Sequence, residues 1–183
     1  TKWWSPDRHF ILYYLTRARD EIYFVTGAPD PDWRESDSFM AVDMSEVRQT
    51  FDGFHEDVLR VIDACPQATK WPLLERRPQP VWSADRIVLL GDACHPMKPH
   101  MGQGAGMAIE DAAMLFRCVE LVGDDDPQRA FRLYEANRFE RTAKVQLESQ
   151  KNTWLRDELN PGWAWDFDAV TAPLVAADPL KAV

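Results

Sequence analysis

The residues with the most chemistry in this sequence lie close together, in Arg86 to Asp111, RIVLLGDACHPMKPHMGQGAGMAIED. Asp92 is a carboxylate placed directly after the apolar run Ile87-Val88-Leu89-Leu90, which suits a strand buried on both faces whose carboxyl end meets solvent or a ligand. Pro96 and Pro99 stiffen the adjoining loop. Gly102-Gln103-Gly104-Ala105-Gly106 then opens a helical pattern, so bare backbone amides collect at a helix N-terminus, where negative charge is favoured. An acceptor for hydroxyls, a rigid proline edge and a nest of N–H donors suit a large polar cofactor better than a metal or a polynucleotide. Two histidines could take part in chemistry near neutral pH: His100 in this loop and His9 far upstream.

The elements that must position these groups can be read from periodicity. Downstream of the glycines, Ala108, Ala112, Leu115, Val119 and Val122 share one helix face, with Ile109, Ala113 and Phe116 beside them; only Glu110, Arg117 and Glu120 leave a polar stripe, which predicts a central helix. Upstream, RHFILYYLTR (8–17) and EIYFVT (21–26) read as two strands of a hairpin turning through Ala18-Arg19-Asp20. Alternation places His9, Ile11, Tyr13 and Leu15 on one face, which would make titratable groups on an apolar floor, the wall of an aromatic-binding pocket. The plainer alternative is a solvated strand-end histidine beside an ordinary strand tyrosine.

Residues 27–38 read as a loop, then Ser45 is placed to cap a short helix through about Phe51, another helix spans Glu56–Cys65, and Trp71–Arg77 reads as extended. Asp126 is placed to cap a helix with Pro127 at its first position, and that pattern runs from Gln128 to about Leu159 with a kink or break expected. Its Arg138, Glu140, Arg141 and Lys144 read as a solvated charged face. Cys94 reads as a small packing residue and His95 as part of the loop's structure. The aromatic tail Trp163–Leu174 must be covered, either on its own subunit or by a dimer partner, so a homodimer is one expectation.

The 183 residues, 45% hydrophobic, suffice for a substantial core, and a net charge of -9 without a basic block speaks against nucleic acid. Three cysteines without a C-x-x-C pair suggest reduced thiols and a cytoplasmic setting, and no metal-ligand spacing is evident. With neither an 18-residue apolar run nor a signal-peptide pattern, no membrane association is expected.

The run GDACHPMKPHMGQGAGMAIED resembles the second flavin-binding motif of the single-component flavoprotein aromatic hydroxylases, the group that contains salicylate hydroxylase and 6-hydroxynicotinate 3-monooxygenase. The resemblance implies FAD as cofactor, with Asp92 on the ribityl chain, Pro99 against the isoalloxazine, and the backbone of Gly102, Gln103, Gly104 and Ala105 at the pyrimidine edge. It further implies reduction by NADH, reaction with dioxygen and a small aromatic acid as substrate, 6-hydroxynicotinate first and salicylate second, hydroxylated with loss of its carboxyl group. His9 and Tyr13 would lie near that substrate, and His100 would meet its carboxylate or remain a loop histidine bonded to backbone. Members of the group carry a G-x-G-x-x-G fingerprint after an N-terminal strand; this sequence has none, so it is expected to be the C-terminal part of a longer enzyme.

The fold class expected is an α+β fragment of an α/β flavoprotein monooxygenase: a substrate-domain sheet over residues 1–80, the end of the FAD-binding domain over 81–122, and a helical region with the aromatic tail over 123–183. A folded remnant without FAD or turnover, or a flavoprotein of the same fold with another oxidation chemistry, are the alternatives.

Overall fold

Where apolar residues alternate with polar ones the chain forms sheet, and where they recur every third or fourth position it forms helix. The computed structural model describes residues 1–34, 38–151 and 162–175. It divides into two compact units, Thr1–Pro72 and Leu73–Val183.

The first unit is built on a three-stranded antiparallel sheet in the order β1 (Lys2–Trp4), β2 (His9–Tyr14), β3 (Ile22–Gly27). The hairpin of β2 and β3 is the one expected, with Arg19 in its turn at φ 61°. Directly opposed residues share a face, so Trp3 opposite Phe10 and Leu12 opposite Phe24 point together. That side packs on Phe51, Val58 and Ile62, which come from the end of α1 (Met44–Thr50) and from α2 (Glu56–Ala64). The opposite side carries Lys2, Trp4, His9, Ile11, Tyr13, Tyr23 and Val25. Asp43, rather than Ser45, caps α1: its carboxylate accepts from the Ser45 amide at 2.8 Å. Two strands escape the periodicity because each is only three residues long: β4 (Met40–Val42) pairs with β5 (Ala68–Lys70), and Lys70 closes the pair with ion contacts to Asp30 at 2.9 Å and Glu46 at 3.3 Å. Trp71–Arg77 joins no ladder.

In the second unit the short ribbon β6 (Ser83–Ala84) and β7 (Ile87–Val88) leads into a single 3-10 turn at Gly91–Ala93, another at Pro99–Met101, and then α3 (Gly104–Val122) and α4 (Pro127–Lys151). Gly123, at φ 82°, stops α3, and the Asp126 carboxylate accepts from the Arg129 amide at 2.9 Å to start α4 with Pro127 in its first turn. Trp82, Cys94, Met114, Cys118, Leu133 and Tyr134 form the main core; Met101, Met107, Val145 and Ala164 form a second. The aromatic tail, including α5 (Gly162–Trp165), lies on its own unit: Phe167 and Leu174 flank the main core and the Lys144 ammonium sits 4.0 Å over the Trp163 ring.

Three expectations need correction. Ile87–Leu90 is not a strand buried on both faces: only Ile87 and Val88 pair, and Ile87 is 69% exposed. Burial on both faces needs layers packed above and below the strand; among the described residues Val88 lies against the main core while Ile87 faces outward. In α3 the buried stripe is Met107, Asp111, Met114 and Cys118, while Ile109 and Phe116 stand exposed, because α4 covers one side only. Arg138 and Arg141 are not a solvated face; Arg138 is fully buried and both are consumed in ion pairs within the unit. The expected run of α4 beyond Lys151 lies outside the described residues. No described helix is long and apolar enough to cross a membrane.

Candidate functional site

The Gly91–Asp92 turn is held from three directions. Gly91 takes a left-handed φ of 62°, and a Cβ there would stand 3.0 Å from the Ala108 side chain, so the turn sits hard against α3. The Gly91 amide donates to Asp111 Oδ2 at 3.0 Å. Its carbonyl accepts from the Cys94 and His95 amides, each at 3.0 Å, and from Cys94 Sγ at 3.2 Å. Asp92 comes directly after this anchored residue and is itself exposed.

The Asp92 carboxylate faces the start of α3: Oδ1 lies 3.8 Å from where a Gly104 Cβ would be, and Met97 Cγ lies equally far from that point. Glycine at 104 thus keeps open a cradle between a carboxylate, a thioether and the first turn of a helix. Pro99, exposed, opens the 3-10 turn, whose end is fixed by the Gly102 amide donating to the Pro99 carbonyl at 3.0 Å, with Gly102 at φ 65°. Gln103 is the N-cap residue of α3 but its side chain makes no capping hydrogen bond, which leaves the first-turn amides from Gly104 onward uncapped by it. Asp92, Pro99, Gly102, Gln103, Gly104 and Ala105 therefore belong to one loop and one helix start.

His100 Nδ1 lies 2.7 Å from the Ser149 carbonyl. A carbonyl only accepts, so Nδ1 donates, and the neutral ring carries its proton there with Nε2 as an acceptor. The remaining site histidine, His9, is in the first unit, 7% exposed, its ring packed so closely on Gly27 that a Cβ there would stand 2.6 Å from Cε1. It is no solvated strand-end residue. Tyr13 shares its face, is 47% exposed, and has its ring 5.2 Å from that of Tyr23.

Beneath the loop is a buried polar network that the sequence did not suggest. Asp111, fully buried, accepts from Gly91 N and from His95 Nε2 at 2.5 Å on one oxygen, and from Arg138 Nε at 2.7 Å on the other. Arg138 also donates to Glu110 at 2.7 Å, and Arg141 takes Glu110 through two 2.7 Å bonds. Burial alone would raise the pKa of Asp111; the hydrogen bonds from His95 and Arg138, with the Arg138 charge, outweigh it and hold the carboxyl below its ordinary value. Burial pushes the Cys94 thiol up to about 11, helped by the Asp111 charge, and raises the Tyr134 phenol for the same two reasons. Cys94, His95 and Asp111 offer ligand atoms within 4.8 Å of one another, yet the Asp111 oxygens are already committed, one of them to a guanidinium. A signal for this network was present: Asp111 stands four residues after Met107 and three before Met114, a carboxylate inside the apolar stripe.

Residues 16–149 match the family model described as FAD binding domain. The chain belongs to that family. Among curated proteins it is 56% identical over 174 residues to 6-hydroxynicotinate 3-monooxygenase of Bordetella bronchiseptica, and 53% identical over 174 residues to the enzyme of the same name from Pseudomonas fluorescens. Each match covers 95% of this chain and 45% of the relative, so the chain spans about half the length of the curated relatives it matches. Among solved structures it is similar to a salicylate hydroxylase substrate complex, with a TM-score of 0.72 and 26% identity over 87% of this chain and 41% of that one. The fold is also that of CtdE in complex with FAD, at a TM-score of 0.75 over 90% of this chain and 44% of that one, with 23% identity.

Proposed function

We propose that this chain forms part of an FAD-dependent aromatic monooxygenase that hydroxylates a small hydroxylated aromatic acid with loss of its carboxyl group, 6-hydroxynicotinate ahead of salicylate. The observation that carries this is the exposed Asp92 carboxylate facing the glycine-lined start of α3. Such a pairing fits a flavin: the carboxylate accepts hydrogen bonds from ribityl hydroxyls, while first-turn amides and the helix dipole receive the electron-rich pyrimidine edge. Pro99 supplies a flat, rigid edge for the ring system. FAD, reduced by NADH, would supply oxygen activated from dioxygen for transfer to the aromatic ring.

The other roles belong to this chain's own side chains. His9, enclosed against Gly27, takes or relays the phenolic proton of the substrate, which raises the electron density of the ring. Tyr13 orients the substrate by hydrogen bonding from the same sheet face. His100, held through Nδ1 by the Ser149 carbonyl, adjoins Pro99 in the same loop and acts on the substrate carboxylate. A cytoplasmic enzyme drawing on soluble NADH is consistent with these roles. The high identity to two 6-hydroxynicotinate 3-monooxygenases favours the pyridine acid over the benzene one.

The test is NADH oxidation with product identification for the complete gene product carrying this sequence, supplied with each acid in turn. Carbon dioxide released in step with a ring-hydroxylated product from 6-hydroxynicotinate supports the proposal. NADH consumption that yields no hydroxylated ring from either acid would reject it.

A further inference from the structure

The structure assigns Asp111 as a positioning residue: from inside α3 it clamps the Gly91–Asp92 turn so that the Asp92 carboxylate is presented to the flavin ribityl chain, an inference resting on the flavin function proposed above. Asp111 touches no exposed surface and its oxygens are divided between two tasks. Oδ2 holds the turn twice, through the Gly91 amide at 3.0 Å and the His95 ring at 2.5 Å. Oδ1 is held by Arg138 of α4 at 2.7 Å, and Arg138 is fixed in turn by Glu110 and the Met107 carbonyl. The turn is thereby referenced to two helices at once. This matters because Gly91 sits in a left-handed conformation, and a glycine without such anchors samples several backbone states, each aiming the next side chain elsewhere. Three charge-assisted or amide bonds on one buried carboxylate select one of them. The groups facing Asp111 are His95 and Cys94 from the turn and Arg138 and Tyr134 from α4; none of them reaches Asp92, so any influence on the cofactor must pass through the turn.

The test uses the complete gene product carrying this sequence, its variants Asp111→Asn and Asp92→Ala, and the double variant. The first readout needs no flavin. In the unsubstituted chain the Gly91 amide should exchange with deuterium as slowly as amides inside α3, and in folded Asp111→Asn it should exchange at least about tenfold faster while Met114–Cys118 stay protected, the scale expected from losing one hydrogen bond to a charged group. Unprotected Gly91 in the unsubstituted chain overturns the clamp even where the variant fails to fold. The second readout is FAD affinity by quenching of flavin fluorescence. Asp111→Asn should weaken it about tenfold in the native background and leave it nearly unchanged in the Asp92→Ala background, because the effect runs through Asp92. Equal losses in both backgrounds overturn the positioning role and indicate general destabilisation. If the complete unsubstituted protein binds no FAD, the flavin function fails, while Gly91 exchange still decides whether the clamp exists.

Discussion

Arg138 is the residue whose removal tests the buried network most directly. Arg138→Met keeps most of the side-chain volume and discards the charge. Its guanidinium is fully buried and serves Asp111, Glu110 and the Met107 carbonyl. Glu110 retains both bonds to Arg141, so the uncompensated charge falls on Asp111 alone. Breaking a buried pair on one side costs about 3 to 5 kcal/mol, and with one carboxylate stranded the lower end applies, about 3 kcal/mol. At about 3 °C per kcal/mol for a chain of this size, the melting temperature should drop by roughly 10 °C. Urea and thermal unfolding followed by far-UV circular dichroism measure both quantities, since α3 and α4 are the two longest helices described. A loss below about 1 kcal/mol, the value typical of a solvated arginine, would refute the reasoning.

The pH dependence adds a sign. Asp111 has a native pKa held below the ordinary carboxyl value of 3.8, so its contribution to stability is complete above that value and is lost as pH falls through the depressed native one. In the variant one of the two groups that hold it down is gone and burial pushes it up. The stability gap between the two proteins should therefore narrow as pH falls from about 7 towards about 4. A gap independent of pH would assign the loss to packing rather than charge.

Gly27→Ala should cost about 1 to 3 kcal/mol in urea unfolding and displace the His9 ring resonances, because the added methyl would stand 2.6 Å from His9 Cε1; unchanged resonances would contradict that contact. Nitrogen-15 spectra of the ring of His100 should show Nδ1 protonated in the neutral form, and a proton on Nε2 would contradict the bond to Ser149. Iodoacetamide at about pH 8 should label Cys65 well ahead of the others, since Cys94 and Cys118 are buried and their thiols are pushed up to about 11; equal labelling of Cys94 would refute it.

The hairpin of β2 and β3, the face shared by His9 and Tyr13, the helix opening at Gly104 and the Asp126 cap were legible because each depends on local spacing. The surroundings of Ile87–Leu90 were not, because an apolar run declares that it prefers burial without saying what will cover it. Arg138 and Arg141 misled for a related reason: in a helix with charges all round, periodicity does not reveal which of them meets a carboxylate on another helix. The cofactor loop was legible as a motif, whereas its foundation, Asp111 bonded across twenty residues to Gly91, is a tertiary contact.

Helix α4 meets the loop at successive turns along its length. Arg138 reaches Met107 and Asp111, Gln146 donates to the carbonyls of both Arg76 and Pro96, and Ser149 receives His100. From Arg138 to Ser149 is about 16 Å of helix, and every added residue rotates the downstream turns by about 100°. One insertion between Arg138 and Gln146 would turn the last two contacts away from their partners while the first stayed in place. The length of this stretch is thus a ruler for the loop opposite it: side chains on its outer face are free to vary, but its residue count is not.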